Sequence, residues 1–254
     1  MTTMLFKIFK QDLKESFKTW IICALTLNIL FILIYFASGT MKTRGAFLME
    51  QFYTMFATII PLIFVIGTAN RLVVSQVDDG SLFMVMVAGY KRSQIIFTKI
   101  VFYVISIFLM HLLLMMVSFI MIWVKPLSLI IMDAFLLNVF AFLITLAIGS
   151  VCFFASVFFN SKKNASLLGT GFPLVSYLLY TLAHMFTNIP NLEDEPLINV
   201  LTNLKYVSIY SLFDYQLIID RSSWLILIGL CLFVATTILF TLSGIVFKKK
   251  DLAL

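Results

Sequence analysis

Charge is scarce in this sequence. Only 12% of its 254 residues are Asp, Glu, Lys or Arg, while 62% are hydrophobic and 27 are Phe. A soluble domain carries roughly 25% charge. The mean hydropathy is +1.07. No water-soluble core needs this much apolar surface, so the chain reads as an all-α, polytopic membrane protein. Cysteine is also sparse. Cys23, Cys152 and Cys231 lie in separate apolar runs with no CxxC pair, which excludes a disulfide framework and a thiolate metal site and leaves three small packing residues. No GxxxxGK[ST], HExxH or GxSxG is present. The chain therefore has no phosphate-cradling loop of that kind, no zinc-peptidase helix and no nucleophile elbow. There is no Gly/Pro-rich linker and no low-complexity tract, so residues 1–254 form a single transmembrane domain.

What is present is a set of six apolar runs: Trp20–Ala37, Phe52–Ala69, Ile100–Trp123, Leu129–Phe159, Leu167–Thr187 and Trp224–Phe247. Each is near the roughly 20 helical residues that cross a bilayer. The fourth is longer, and Asp133 near its start places its first turns in the interface. The three Trp residues fall at span ends, as an aromatic belt requires. Alternate connections differ in charge. The N-terminus, the second-to-third loop, the fourth-to-fifth loop and the C-terminus hold thirteen Lys and Arg; the other connections hold five. Positive charge stays in the cytoplasm, so both termini are expected there. The first apolar run is preceded by 19 residues that include Asp12 and Glu15. That is unlike a signal peptide, and an uncleaved first helix is expected.

Three segments outside the spans carry a pattern. In Asp78-Asp79-Gly80-Ser81-Leu82-Phe83, continuing to Gly89, Lys91 and Arg92, nine uncharged residues (Leu82 to Tyr90) separate acids from bases. Too short to span, the stretch 78–92 predicts a short helix at the membrane face, with Ser81 as N-cap and Gly89 near its C-terminus. In residues 1–19, Leu5, Phe9, Leu13 and Phe17 recur every four residues, with Lys7, Lys10, Lys14 and Lys18 opposite. This predicts a basic amphipathic interfacial helix. Residues 188–223 hold an acidic run and the stripe Leu197, Ile198, Val200, Leu201, Leu204 and Val207; one or two short helices dipping into the outer leaflet are expected.

Titratable groups inside the spans are few. His111 lies near the middle of the third. An ionisable residue there is a functional candidate by default, but a neutral imidazole bonded to a neighbouring helix is the favoured reading. His184 lies near the outer interface. No span carries Glu, Lys or Arg near its centre, which argues against an ion-coupled carrier. Asn28 and Asn138 are candidates for pairing between helices. Tyr177 and Tyr180 are candidates for lining a pathway. Ala141, Thr145 and Gly149 form a small stripe that suits either an intramolecular contact or a subunit interface. Pro61 and Pro173 predict bends or tolerated kinks.

In this order the features resemble the ABC-2 type transporter permeases, especially the small six-helix bacterial subunits. The match of Asp78-Asp79-Gly80-Ser81-Leu82, Arg92 and Lys99 is to the family's coupling segment, with Phe83 where Glu is common and Gly89 where Pro is common. Leu204-Lys205-Tyr206-Val207-Ser208 with Ser211-Leu212-Phe213-Asp214 is similar to the segment before the last span. Phe247-Lys248-Lys249-Lys250-Asp251-Leu252 is similar to the basic ending. The resemblance implies an N-terminal elbow helix, a cytoplasmic coupling helix at 78–92 and outer re-entrant helices before the last span. It also implies an exporter in a bacterial plasma membrane, built from two permease chains, alike or different, and two copies of an ABC ATPase. ATP and Mg would sit on that partner and no cofactor on this chain. Leu82 and Phe83 would anchor the ATPase. The sparse charge suits an apolar or amphipathic cargo, for example amphipathic or antimicrobial peptides such as phenol-soluble modulins. The expected partners are these chains and membrane lipid, not nucleic acid. The rival readings are a stand-alone secondary carrier, a sensor or scaffold without flux, and an intramembrane enzyme.

Overall fold

A computed structural model describes residues 2–40, 45–87, 89–126, 129–187 and 208–250, with the side chains of 2–5, 40, 83–84 and 184–187 excepted. Its helices are α1 (Thr2–Thr40), α2 (Gly45–Gln51), a π turn (Phe52–Phe56), α3 (Ala57–Leu72), α4 (Val74–Asp78), α5 (Ser81–Val87), α6 (Arg92–Val124), α7 (Ile131–Phe158), α8 (Lys162–Thr187), a 3-10 turn (Ile209–Leu212), α9 (Tyr215–Ile219) and α10 (Trp224–Lys249). No strand occurs among the described residues. Six segments are long and apolar enough to cross a membrane: Phe6–Gly39, Gly45–Asp78, Arg92–Val124, Ile131–Phe158, Lys162–Ala183 and Trp224–Lys249. Spans two and four are the most buried; spans one, five and six give most of their surface to the surroundings.

The first span departs from expectation. Residues 1–19 do not form a separate element, because α1 runs unbroken from Thr2 to Thr40. No Gly or Pro interrupts it before Gly39. At 1.5 Å per residue it is about 58 Å long, nearly twice a hydrocarbon core. Its packed face is also not the apolar one. Ile8, Asp12 and Ser16 are buried while Phe6, Leu13 and Phe17 are exposed. Phe9 reaches the bundle through an edge contact with Phe102 at 5.3 Å. Trp20 is likewise not at a helix end; it donates to the Ser106 carbonyl of α6 at 2.9 Å. Trp123 and Trp224 stand exposed at helix ends.

Span two is built from pieces, and each break has a cause. Pro61 has no N–H to offer the Ala57 carbonyl, and its ring crowds that carbonyl. The π turn lies immediately before this point. Its wide register buries both Phe52 and Tyr53. At Val73 (φ −124°, ψ −71°) the helix breaks again. Ser156 of α7 occupies the gap. Its hydroxyl donates to the Ala69 carbonyl at 2.8 Å and accepts from Val74 N–H at 3.1 Å. One side chain thus replaces two lost ladder bonds and turns the chain into α4.

Span four packs at the centre. The stripe Ala141, Thr145 and Gly149 is an intramolecular contact, buried on α7. A side chain at Gly149 would meet Tyr103 Oη at 3.1 Å and Val65 Cγ1 at 3.3 Å. Tyr103 uses that closeness: its hydroxyl lies 2.9 Å from the Val65 carbonyl and 3.3 Å from that of Gly149. Cys152 has a role beyond packing. Pro173 lies inside α8, so the carbonyl four residues earlier, Gly169, has no helical donor. The Cys152 thiol donates to that carbonyl at 3.0 Å. Leaving a buried acceptor unpaired costs about 1–3 kcal/mol. Cys152→Ser, which keeps a donor, is expected to melt within a few degrees of the parent in detergent. Cys152→Val, similar in bulk but without a donor, is expected to lose about 1 kcal/mol and melt several degrees lower; equal melting of the two would refute the role.

Candidate docking site

The N-terminal part of α1 and the end of α10 lie on the side of the bundle that holds the segment 78–92, tied to it through Lys99 and Arg92. Asp78 ends α4, Asp79 caps it, and Gly80 turns the chain at φ +70°, in the left-handed region that suits glycine. Asp78, Asp79, Gly80 and Ser81 form a continuous exposed run. The expected short helix is present as α5, Ser81–Val87. Ser81 is its first residue and not its N-cap. The Ser81 hydroxyl donates back to the Gln76 carbonyl at 3.4 Å, so it is directed at α4 and not at the free N–H groups of α5. Gly89 turns the chain out at φ +88°. Arg92 opens α6 and donates to the Lys250 carbonyl at 2.7 Å.

Leu82 differs from expectation. It is 2% exposed and belongs to the chain's own core, with Val85 and Met86 packed beside it. A leucine held inside its own chain cannot also be a free anchor for a partner. Among the described side chains, the outward surface of the segment includes instead the acidic turn, Val87, which is 69% exposed, and Lys91. The Phe83 side chain lies outside the described residues.

Beneath this surface is a polar network that the sequence did not announce. Lys99 of α6 and Asp12 of α1 form an ion pair at 3.3 Å, with side chains only 2% and 1% exposed. Lys99 also donates to Gln76 Oε1 at 2.8 Å. Since the Gln76 carbonyl receives Ser81, one lysine connects α1, α6 and α4 to the start of α5. Arg71, at the end of α3, donates to the Glu15 carbonyl of α1 at 2.5 Å. Lys250 completes the face. Its ammonium donates to the carbonyls of Val157 and Phe159 at 2.5 and 2.6 Å, a favourable place for a cation at a helix C-terminus. Burial pushes the Lys250 ammonium down to about 8. In the sequence, Lys99 enters as a positive charge before span three and as part of the resemblance to the coupling segment, and Asp12 as a mark against a signal peptide. Their separation of 87 residues gives no local signal of pairing.

The other candidates do not join this site or one another. His111 Nδ1 lies 3.1 Å from the Ile107 carbonyl of its own helix, and Nε2 lies 3.4 Å from Thr145 Oγ1 of α7. Asn28 and Asn138 do not pair. Asn28 Nδ2 donates to the Ala24 carbonyl one turn back. Asn138 Nδ2 is placed among Tyr53 Oη, Ser118 Oγ and the Ala134 carbonyl, at 3.1, 3.3 and 2.7 Å. Tyr177 and Tyr180 of α8 pack on Tyr210, with ring centroids 5.3 and 6.3 Å away. His184 lies in α8 with its side chain outside the described residues, and the stripe from Leu197 to Val207 lies outside them altogether.

Opposite the termini, the described part of the 188–223 connection holds the 3-10 turn and α9. Ser208 hydrogen-bonds Ser176, hydroxyl to carbonyl at 2.8 Å and hydroxyl to hydroxyl at 3.1 Å. Tyr210, Phe213, Tyr215 and Ile218 are buried. Arg221, at φ +53°, pairs with Asp133 at 3.1 Å. Burial and the nearby carboxylates of Glu50 and Asp133 push the Tyr215 phenol up to about 12. No cluster of three metal-ligating side chains occurs among the described residues.

No family model matches the chain, and no curated protein matches it.

Removing one member of a buried ion pair typically costs about 3–5 kcal/mol, because the other is left charged and unpaired. Lys99→Met and Asp12→Leu are each expected to lower stability by that order. The double variant is expected to recover most of the loss. A thermal double-mutant cycle in detergent measures this; additive losses would show that the two side chains do not interact.

Proposed function

We propose that the chain is the permease subunit of an ABC-2 type exporter. It would sit in a bacterial plasma membrane with both termini cytoplasmic and move an apolar or amphipathic cargo outward. A separate ATPase, in two copies, would bind ATP and Mg, and a second permease chain would complete the pathway. The observation that carries this reading is the exposed acidic turn Asp78-Asp79-Gly80-Ser81 leading into α5, braced from below by Leu82 and by the Gln76–Lys99–Asp12 network. A connection that only joined two spans would need neither the helix nor the brace. A surface that receives force would need both.

Two other features support the reading. The chain has no GxxxxGK[ST] motif, so a transport cycle energised by ATP would take its nucleotide site from another chain. On the opposite side, Ser176 is the fifteenth of the 26 residues of α8, about 16 Å from that helix's end. Ser208 meets it there, so the chain returns deep into the bundle before span six, as outer re-entrant helices would. In this reading the N-terminal half of α1, continuous with the span, serves as the elbow helix. Cargo such as amphipathic peptides fits walls rich in Phe, Met and Leu.

Leu82 is a brace in this reading and the acidic turn is the contact. Asp78→Lys with Asp79→Lys changes only exposed side chains and is expected to leave melting unchanged. It should reduce co-purification of a Walker-motif ATPase from native membranes at least tenfold, as charge reversal at a docking surface does. Full retention of the ATPase by this variant would refute the contact. Failure to recover any ATPase with the parent protein, even after crosslinking, would refute the transporter reading.

A further inference from the structure

A cavity of about 150 Å³ opens between α1, α3 and α6, lined by Leu13, Ser16, Phe17, Trp20, Phe64, Phe102, Ser106 and Leu109. Its floor is sealed: Phe64 and Phe102 are almost wholly buried. Its rim is open to the surroundings of the helices, because Leu13, Phe17 and Leu109 are each exposed. An apolar cavity of this size stays free of water and accepts a group about as large as benzene. It lies within the apolar spans, so what can reach it is a hydrocarbon chain.

Two further observations say which chain. The first is Ser16, 2% exposed, whose hydroxyl is buried with no hydrogen-bond partner among the described residues. It stands at the wall beside Ser106, whose hydroxyl already donates to the Phe102 carbonyl at 2.8 Å. Its own oxygen is closed off as the cavity stands, so a small shift of the wall would let it donate to an entering group. A buried hydroxyl without a partner is costly, and the ester carbonyl of a glycerolipid is an acceptor attached to an acyl chain. The second is charge. Lys10 and Lys14 are exposed on α1. They belong to the basic face of α1, away from the cavity floor, but one turn along the helix Lys10 borders Leu13 and Lys14 borders Phe17, each toward the chain's N-terminus. The cavity rim therefore has two cations on the side where α1 leaves the membrane.

We infer that this groove is a binding site for one anionic phospholipid of the leaflet nearest the termini. An acyl chain fills the cavity, the Ser16 hydroxyl meets the ester carbonyl, and Lys10 and Lys14 hold the phosphate. The site depends on membrane insertion and not on the transport reading. It also accounts for the outward-facing apolar residues of α1 at this level, which face lipid while the polar face packs on the bundle.

The test uses Trp20, which lines the cavity. Trp123 and Trp224 are exposed, and changing both to Phe leaves Trp20 as the one remaining tryptophan of three. The whole chain is reconstituted into phosphatidylcholine vesicles, and Trp20 fluorescence is titrated with phosphatidylglycerol carrying brominated acyl chains, or with brominated phosphatidylcholine. The expected result is half-maximal quenching at a mole fraction of phosphatidylglycerol lower by roughly fivefold or more, since each lysine near an anionic surface contributes about that factor. In Lys10→Gln/Lys14→Gln the two lipids should quench alike. In Lys248→Gln/Lys249→Gln, which removes the same charge elsewhere, the preference should remain. Equal quenching by both lipids in the parent would overturn the proposal and leave ordinary boundary lipid. Equal loss of preference in both lysine variants would overturn it as well, as a general surface-charge effect.

Discussion

In hydrocarbon, an apolar side chain gains nothing by leaving lipid for another side chain. What orders the helices is close packing and the need of each polar group for a partner. In this molecule those needs converge on α7. Cys152 serves the carbonyl freed by Pro173 in α8. Ser156 serves both backbone groups freed at the Val73 break. Asn138 reaches Tyr53 and Ser118, and Thr145 meets His111. Gly149 lets Tyr103 close on two carbonyls. Span four is thereby registered against spans two, three and five by groups whose alternative is to remain unsatisfied. Span six joins it by shape, through Phe153 and Phe240 at 5.8 Å.

This arrangement determines what is rigid around the candidate site. The Val73 break changes the chain's direction at a point fixed by span four, so α4 begins from a defined place. Gln76 then lies where Lys99 can reach it while paired with Asp12. A buried ion pair is weak evidence for stability, because desolvation offsets attraction. Its value here is geometric. Three helices must be in register for Lys99 to be satisfied, and α5 follows directly from one of them. The Arg92–Lys250 and Lys250–Val157 contacts add the C-terminal end to the same corner.

The spans were legible in the sequence because hydrophobicity over some twenty residues requires no tertiary information. The short helix after Gly80 was legible because acids, a turn residue and a bounded apolar run are local signals. The face of α1 was not. The repeat of Leu5, Phe9, Leu13 and Phe17 obeys the rule for a soluble amphipathic helix, in which the apolar face packs inward. Beside lipid that rule loses force, and Asp12 and Ser16 turn inward while Leu13 and Phe17 face out. The pairing of Asn28 with Asn138 failed for a related reason. An amide in a helix can bond the carbonyl one turn back, as Asn28 does with Ala24 and Asn138 with Ala134. The presence of two amides in two spans therefore carries little information about contact. For Leu82 the resemblance implies an anchor for a partner, but an apolar residue in a short helix can as well face its own bundle, and the local sequence does not say which core receives it.

The two ends of the bundle are closed by different chemistry, and that difference bears on the proposed cycle. At the end without termini, Tyr177, Tyr180 and Tyr210 pack edge to face or tilted around a pair of serines. Aromatic contacts of this kind are worth about a kcal/mol each and tolerate sliding. At the end with the termini, the contacts are charged, buried and directional. They hold only in one geometry. A push on the acidic turn would therefore be transmitted through the ionic corner as a rigid body. The aromatic end holds the ion pair Arg221–Asp133, whose arginine is half exposed, and its other contacts could yield without leaving charges unpaired. Under the exporter reading, opening on the side away from the ATPase is the motion that this distribution of contacts resists least.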